Sequence, residues 1–249
     1  MPMIETAIDG AVARITLNRP ETHNALDRAA MDTLTGSLAD WALNDELRVL
    51  VLTGRGRSFC AGAALGEVGG DWSDNPLTRL CDALEAFPVP TIAALNGGVY
   101  GGGVELALAC DFRVGLTGMR AFVPPARLGI HYEPAGIARA IDRLGSQMAR
   151  RMFLLGESFE AEALLAAGLL DHLVAPDALE AKAAELAGTV AGLAPLAVRG
   201  MKRTIFELGR GTLDAAAARE RIIACFASDD HAEGLAAQRE RREPRFLGR

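Results

Sequence analysis

The sequence predicts an α/β protein built on a largely parallel sheet, with a helical region at its C-terminal end. Three observations carry this. An alternating stretch, Ala13, Ile15 and Leu17 with Arg14 and Thr16 between them, is followed by an amphipathic segment and then by a continuous apolar run, Val49-Leu50-Val51-Leu52. A half-buried strand, a helix and a strand covered on both faces, in that order, imply a right-handed crossover between parallel strands. Beyond Pro176 the alternation gives way to Ala-rich helical sequence.

The first strand ends at the loop Asn18-Arg19-Pro20. From residue 27 to about 43, Met31, Leu34, Leu38 and Trp41 recur at helical spacings, with Asp27 placed to cap the first turn. Thr53-Gly54 stops the apolar run, and a loop of small residues follows, with Arg55 and Arg57 at its entrance and Cys60-Ala61-Gly62-Ala63-Ala64 at its end. Residues 66–76 read as a mobile loop, and Pro76 starts a helix that runs to Phe87. An apolar strand over 91–95 enters a glycine-dense turn and then a helix. Phe112-Arg113-Val114 is a short strand, and residues 121–129 form another, interrupted by Pro124-Pro125. Helices are expected over 134–144, 148–155 and 160–167, the last stopped by Gly168 before an apolar stretch over 169–174. The C-terminal helices break near Pro195, at Gly209 to Gly211 and at Ser228, and the change in composition sets a boundary near residue 190. Residues 1–190 are then the α/β core and residues 191–249 the helical region.

A chain of 249 residues can bury one large core, and although half of it is apolar, no uncharged apolar run reaches membrane-spanning length. The opening Met-Pro-Met-Ile-Glu-Thr has neither the basic start nor the apolar run of a signal peptide, so a cytoplasmic location is expected, with no membrane partner. Cys60, Cys81, Cys110 and Cys225 form no Cys-x-x-Cys pair, which suits reduced thiols. His23, His131, His172 and His231 show no ligand spacing, so no metal site is expected. A net charge of −6 argues against nucleic acid as the partner, while leaving room for a small phosphate-bearing ligand held by a local basic cluster.

The stretch richest in chemistry is Asn96-Gly-Gly-Val-Tyr-Gly-Gly-Gly-Val-Glu-Leu-Ala-Leu-Ala-Cys-Asp111. A helix start offers unpartnered N–H groups and partial positive charge, and glycines at 101, 102 and 103 allow another molecule close to them. That suits stabilisation of an oxyanion, with Glu105 as a neighbouring acid or base. A dinucleotide fingerprint fits less well, because no ribose-binding acid follows at the usual spacing. Close helix–strand packing, with Glu105 merely favoured by the helix dipole, stands beside the oxyanion reading.

Taken together, Ile15-Thr16-Leu17-Asn18-Arg19-Pro20 with Asn24-Ala25-Leu26, Phe59-Cys60-Ala61-Gly62-Ala63-Ala64-Leu65, and Asn96 through Asp111 resemble the crotonase, or enoyl-CoA hydratase/isomerase, superfamily. The tail, from Ser228-Asp229-Asp230 to Arg242-Glu243-Pro244-Arg245-Phe246, is similar to that family's closing segment. The resemblance implies a crotonase-like spiral of β-β-α repeats with a C-terminal helical region, assembled as a homotrimer or a dimer of trimers. It implies an acyl-CoA thioester as substrate, coenzyme A being part of that substrate and no separate cofactor being needed. It further implies an oxyanion hole made by the N–H groups of Ala63 and Gly102, and CoA contacts at Ala25, Ala61 and Arg57. For Arg57 a solvated loop position is the competing assignment. Lys202 is within a helix's reach of such a ligand, although a surface role is the expectation.

The sequence departs from the hydratase pattern at one telling place. Family hydratases use two glutamates; Glu105 matches the first, but Pro125 stands where the second would be, and proline cannot carry a proton. Double-bond isomerases of the family carry an acid further on, and Glu133 falls at that position, where capping the next helix is its alternative role. Ala64 stands where the family usually has Asp. Glu105 and Glu133 are therefore the acid/base candidates for adding water to an enoyl-CoA or shifting its double bond. A binder that has lost turnover, and thioester hydrolysis or decarboxylation in the same hole, remain as alternatives.

Overall fold

The computed structural model describes residues 2–64 and 74–249. The loop expected over 66–76, and Leu65 of the second matching stretch, therefore lie mostly outside the described residues.

β1 (Ile4–Asp9) and β2 (Val12–Leu17) form an antiparallel hairpin. Ala13, Ile15 and Leu17 of β2 point into the core, as their alternation predicts. β1 was not anticipated from the sequence, because most of it is exposed and it is held by pairing to β2 rather than by a buried face of its own. α1 (Arg28–Trp41) buries Met31, Leu34 and Leu38, and the Asp27 carboxylate accepts from Ala30 N–H at 2.9 Å.

The chain then repeats one plan. β3 (Val49–Gly54), β4 (Ser58–Cys60) and α2 (Pro76–Glu85) make one unit, and β5 (Thr91–Leu95), β6 (Gly98–Tyr100) and α3 (Gly102–Leu108) make the next. β7 (Phe112–Leu116), β8 (Arg120–Phe122) and α4 (Pro134–Leu154) follow. In each unit the longer strand joins one sheet and the shorter strand a second. With β9 (Phe159–Glu160), α5 (Ala161–Ala166) and β10 (His172–Val174) added, the sheets run β1-β2-β3-β5-β7-β10 and β4-β6-β8-β9. All pairings are parallel except β1 with β2 and β8 with β9.

β3 reads as a continuous apolar run because both its faces are covered. Leu50 and Leu52 join the main core, whereas Val49 and Val51 meet Leu179, Ala183 and Ala187 of α6 (Leu179–Ala191). Helices α7 (Pro195–Arg210), α8 (Ala215–Phe226) and α9 (Asp229–Glu240) complete the chain. Among the described residues no single helix is long and apolar enough to cross a membrane.

One element differs from expectation. The strand expected over 121–129 stops at Phe122, since the prolines at 124 and 125 have no N–H for a ladder, and the chain turns through a short 3-10 helix, Pro125–Leu128. The helices expected over 134–144 and 148–155 are both present as the two arms of α4, separated by a kink at non-helical Gly145, with φ 78° and ψ 160°.

Candidate active site

Two bends, one after β4 and one after β6, meet each other. Asn24 and Asn96 hold the first in place. Buried Asn24 donates to the carbonyls of Ser58 and Phe59 at 2.8 and 3.0 Å, and Asn96 donates to those of Gly56 and Ser58 at 2.9 and 3.1 Å while accepting from Gly54 N–H. A parallel bridge from Leu26 to Ala63 fixes the end of the bend, with Leu26 N–H on Gly62 O and Ala64 N–H on Leu26 O, both at 2.8 Å. That bridge uses the neighbours of Ala63 and turns its own N–H the other way. Among the described residues that N–H has no acceptor.

The opposing bend puts Gly102 at the first position of α3, where a backbone N–H has no partner within the helix. The contact between the bends depends on Gly62, whose φ is +81° and whose missing Cβ would lie 2.4 Å from Gly102 N. A Cβ built on Gly102 would lie 3.5 Å from Ala63 N, so the two N–H-bearing segments are in contact. Donors in this arrangement suit an oxygen that gains negative charge during a reaction. Both bends line a cavity of about 490 Å³ whose walls include Leu77, Pro124, Pro125, Leu128 and Ile130.

Glu105 and Glu133 are brought together, since both line this cavity, and Pro125 lines it too, with no carboxylate at its position. Their surroundings differ. Glu105, on α3, is buried against buried Arg139 of α4, whose Nη1 donates to Glu105 Oε1. Arg139 also donates to Asp82 and Glu85 of α2, and Arg210 of α7 bonds the same two acids. Arg139, and after it Tyr132, whose ring edge meets the Glu105 carboxylate at Gly136, favour the charged form. Burial outweighs both and raises the Glu105 pKa above the ordinary carboxylate value. Glu133 is half-buried at the N-cap position of α4, but its side chain makes no capping hydrogen bond. The capping role weighed for it is thus not the one it plays in this structure.

The cysteine nearest the bends is no nucleophile, because burial pushes the Cys60 thiol up to about 12. Among the described residues no group of three or more His, Cys, Asp and Glu is placed to hold a metal ion.

The profile of the enoyl-CoA hydratase/isomerase family matches residues 7–249. The chain belongs to this family. It is 35% identical over 244 residues to the 2,3-dehydroadipyl-CoA hydratase of Escherichia coli K12, with 96% of each chain covered. It is 34% identical to the human mitochondrial enoyl-CoA hydratase domain-containing protein 2, covering 97% of this chain and 87% of that protein. Among solved structures, an enoyl-CoA hydratase/carnithine racemase from Magnetospirillum magneticum superposes with a TM-score of 0.94 at 30% identity, over 100% of this chain and 97% of that one. The fold is therefore the crotonase fold with its C-terminal helical region, and the chain is an enzyme of enoyl-CoA hydratase/isomerase type.

In this enoyl-CoA hydratase/isomerase, Ala61 lines the cavity, and Ala25 sits half-buried beside the Leu26–Ala63 bridge. Arg57 is exposed, with Nη2 3.3 Å from His23 Nε2. Lys202 is not on the surface as expected: its side chain is 9% exposed and donates to Val89 O and to Asp111 at 2.8 and 2.7 Å, so it ties α7 to the sheet rather than reaching a ligand. Nothing in the sequence marks Arg139 and Tyr132 as site residues. Arg139 lies one helical turn from Gly136 on α4, but Tyr132 precedes the helix, so no helical spacing joins the two.

Proposed function

We propose that this enzyme acts on the acyl group of an acyl-CoA thioester, adding water to an enoyl double bond or shifting its position. In this reading the thioester oxygen sits between the N–H groups of Ala63 and Gly102. The observation that carries it is the contact between the Gly62-Ala63 and Gly101-Gly102 bends at the wall of an apolar cavity that also contains Glu105 and Glu133. Removing a proton from the α-carbon of a thioester, or adding water across its double bond, places negative charge on that oxygen, and each preset donor is worth about 3 kcal/mol. Glu133 and Glu105, both in the cavity lining, are the acid/base pair that handles the proton. The CoA portion runs past Ala25 and Ala61 with Arg57 toward its phosphates.

The chain assembles as a homotrimer or a dimer of trimers. Apolar side chains left in solvent on α7 and α8, with Ile205 67% and Phe226 68% exposed, support this assembly. Four cysteines that are all free support a cytoplasmic location.

The second reading is an acyl-CoA binder that has lost turnover. Pro125 in the cavity wall and the ion pair that occupies Glu105 favour it. Incubation with crotonyl-CoA separates the two: loss of conjugated enoyl absorbance is expected of a hydratase. Appearance of that absorbance from a 3-enoyl-CoA is expected of an isomerase. Tight binding of either compound with no change in absorbance sinks the catalytic reading.

A further inference from the structure

We infer that Tyr132 is a positioning residue for Glu105: its hydroxyl and the Arg139 guanidinium close on the two sides of one carboxylate, a clamp that glycine at 136 permits. The inference rests on the reading of Glu105 as a proton-handling group in the cavity. Its geometry stands on three residues of one segment. Gly136 and Arg139 lie on α4, and Tyr132 stands just before Glu133, the N-cap of that helix. A Cβ on Gly136 would lie 2.4 Å from Tyr132 Cε1 and 2.6 Å from Glu105 Oε2, so any other residue there drives the phenol and the carboxylate apart. The Tyr132 ring is seated by Phe153, with centroids 5.0 Å apart, and Tyr132 itself lines the cavity with Glu105.

The surroundings of Glu105 decide what the hydroxyl does. From α4 and its lead-in, Arg139 and Tyr132 face it. From α2 come Cys81, Asp82 and Glu85; Arg139 bonds both acids, and Arg210 of α7 backs them. Cys81 faces Glu105 as a neutral thiol, because burial and the neighbouring Glu105 both raise it. Burial also holds the Tyr132 hydroxyl well above its ordinary value, so across the working range it is a donor and never an anion. Arg139 holds Oε1 and the hydroxyl-bearing edge of the Tyr132 ring lies on the Oε2 side, so a phenol that donates there fixes the carboxylate in rotation and keeps it available as a base at lower pH than burial alone would allow.

The test is the titration of the Glu105 carboxyl, read by carbon NMR of glutamate-labelled protein and assigned by the resonance lost in Glu105→Gln. It needs no substrate, so a failure of the clamp is distinguishable from a failure of the proposed reaction. Tyr132→Phe keeps the ring and removes the donor; the Glu105 titration is expected to move upward by about one pH unit. The acidic limb of kcat/KM is expected to move with it, at unchanged KM. Phe153→Leu, which disturbs the packing and leaves the hydroxyl, is expected to leave the titration in place. Should Tyr132→Phe not fold, 3-fluorotyrosine at 132, a stronger donor, is expected to move the titration downward instead. A Glu105 titration that is the same with and without the hydroxyl, or that Phe153→Leu moves as far, overturns the inference.

Discussion

Gly62→Ala is the perturbation that most cleanly separates the fold from its chemistry. Gly62 has φ +81°, a conformation that costs an L-residue about 1–2 kcal/mol. The added Cβ would lie 2.4 Å from Gly102 N, where ordinary contact begins at 3.4 Å, so the two bends must separate by about 1 Å. Both atoms belong to backbone, and no flexible side chain can yield instead. One N–H then leaves hydrogen-bonding range of the thioester oxygen, and loss of a single such donor costs about 100- to 1000-fold in kcat. The assay is steady-state turnover of the enoyl-CoA that the parent enzyme accepts, followed by its absorbance, with circular dichroism to verify the fold. Gly118→Ala is the control, because Gly118 has φ +80° and nothing within 4 Å of its missing Cβ. It is expected to lower Tm by a few degrees, at about 2–4 °C per kcal/mol, and to leave kcat alone. A Gly62→Ala enzyme within a few-fold of the parent, or a Gly118→Ala enzyme equally impaired, would refute the reasoning.

The remaining predictions concern the charged groups. Glu133→Gln is expected to lower kcat at least as much as Glu105→Gln with binding nearly intact; an unimpaired Glu133→Gln enzyme removes Glu133 from the chemistry. Glu105→Gln is expected to fold, because Arg139 keeps Asp82 and Glu85, whereas Arg139→Leu strands buried carboxylates and is expected to cost about 3–5 kcal/mol in denaturant unfolding. Glu233 is held down to about 2 by Arg242 and by the Arg245 N–H. A carboxylate depressed in the folded state contributes stability that is present above its ordinary value of 4.5 and lost as pH falls from there to about 2. Glu233→Gln is therefore expected to flatten the acid dependence of unfolding across that window; an unchanged slope there contradicts the assignment.

Much of the fold is written in local periodicity. Met31, Leu34 and Leu38 mark α1, and Val49 to Leu52 mark a strand covered twice, because the sheet's opposite face is closed by α6. Both bends are legible for a similar reason: glycine and alanine stand where backbones must touch, and Gly62 and Gly102 do touch. The clamp on Glu105 is not legible, since Arg139, Asp82 and Glu85 come from α2 and α4 and meet α3 only after the chain has wound through its repeats. Lys202 misleads for the same reason. A lysine on an amphipathic helix looks like surface until Asp111 arrives from another element. β1 gave no signal because an edge strand stabilised by backbone pairing needs no apolar face.

The central claim is that the amides of Ala63 and Gly102 receive the oxygen of a thioester. A crystal structure with a non-reactive acyl-CoA analogue tests it directly. The carbonyl oxygen is expected within about 3 Å of both nitrogens, with Glu133 beside the α- or β-carbon or a water next to it. A ligand bound with that oxygen elsewhere, or with either nitrogen turned from it, would contradict the account.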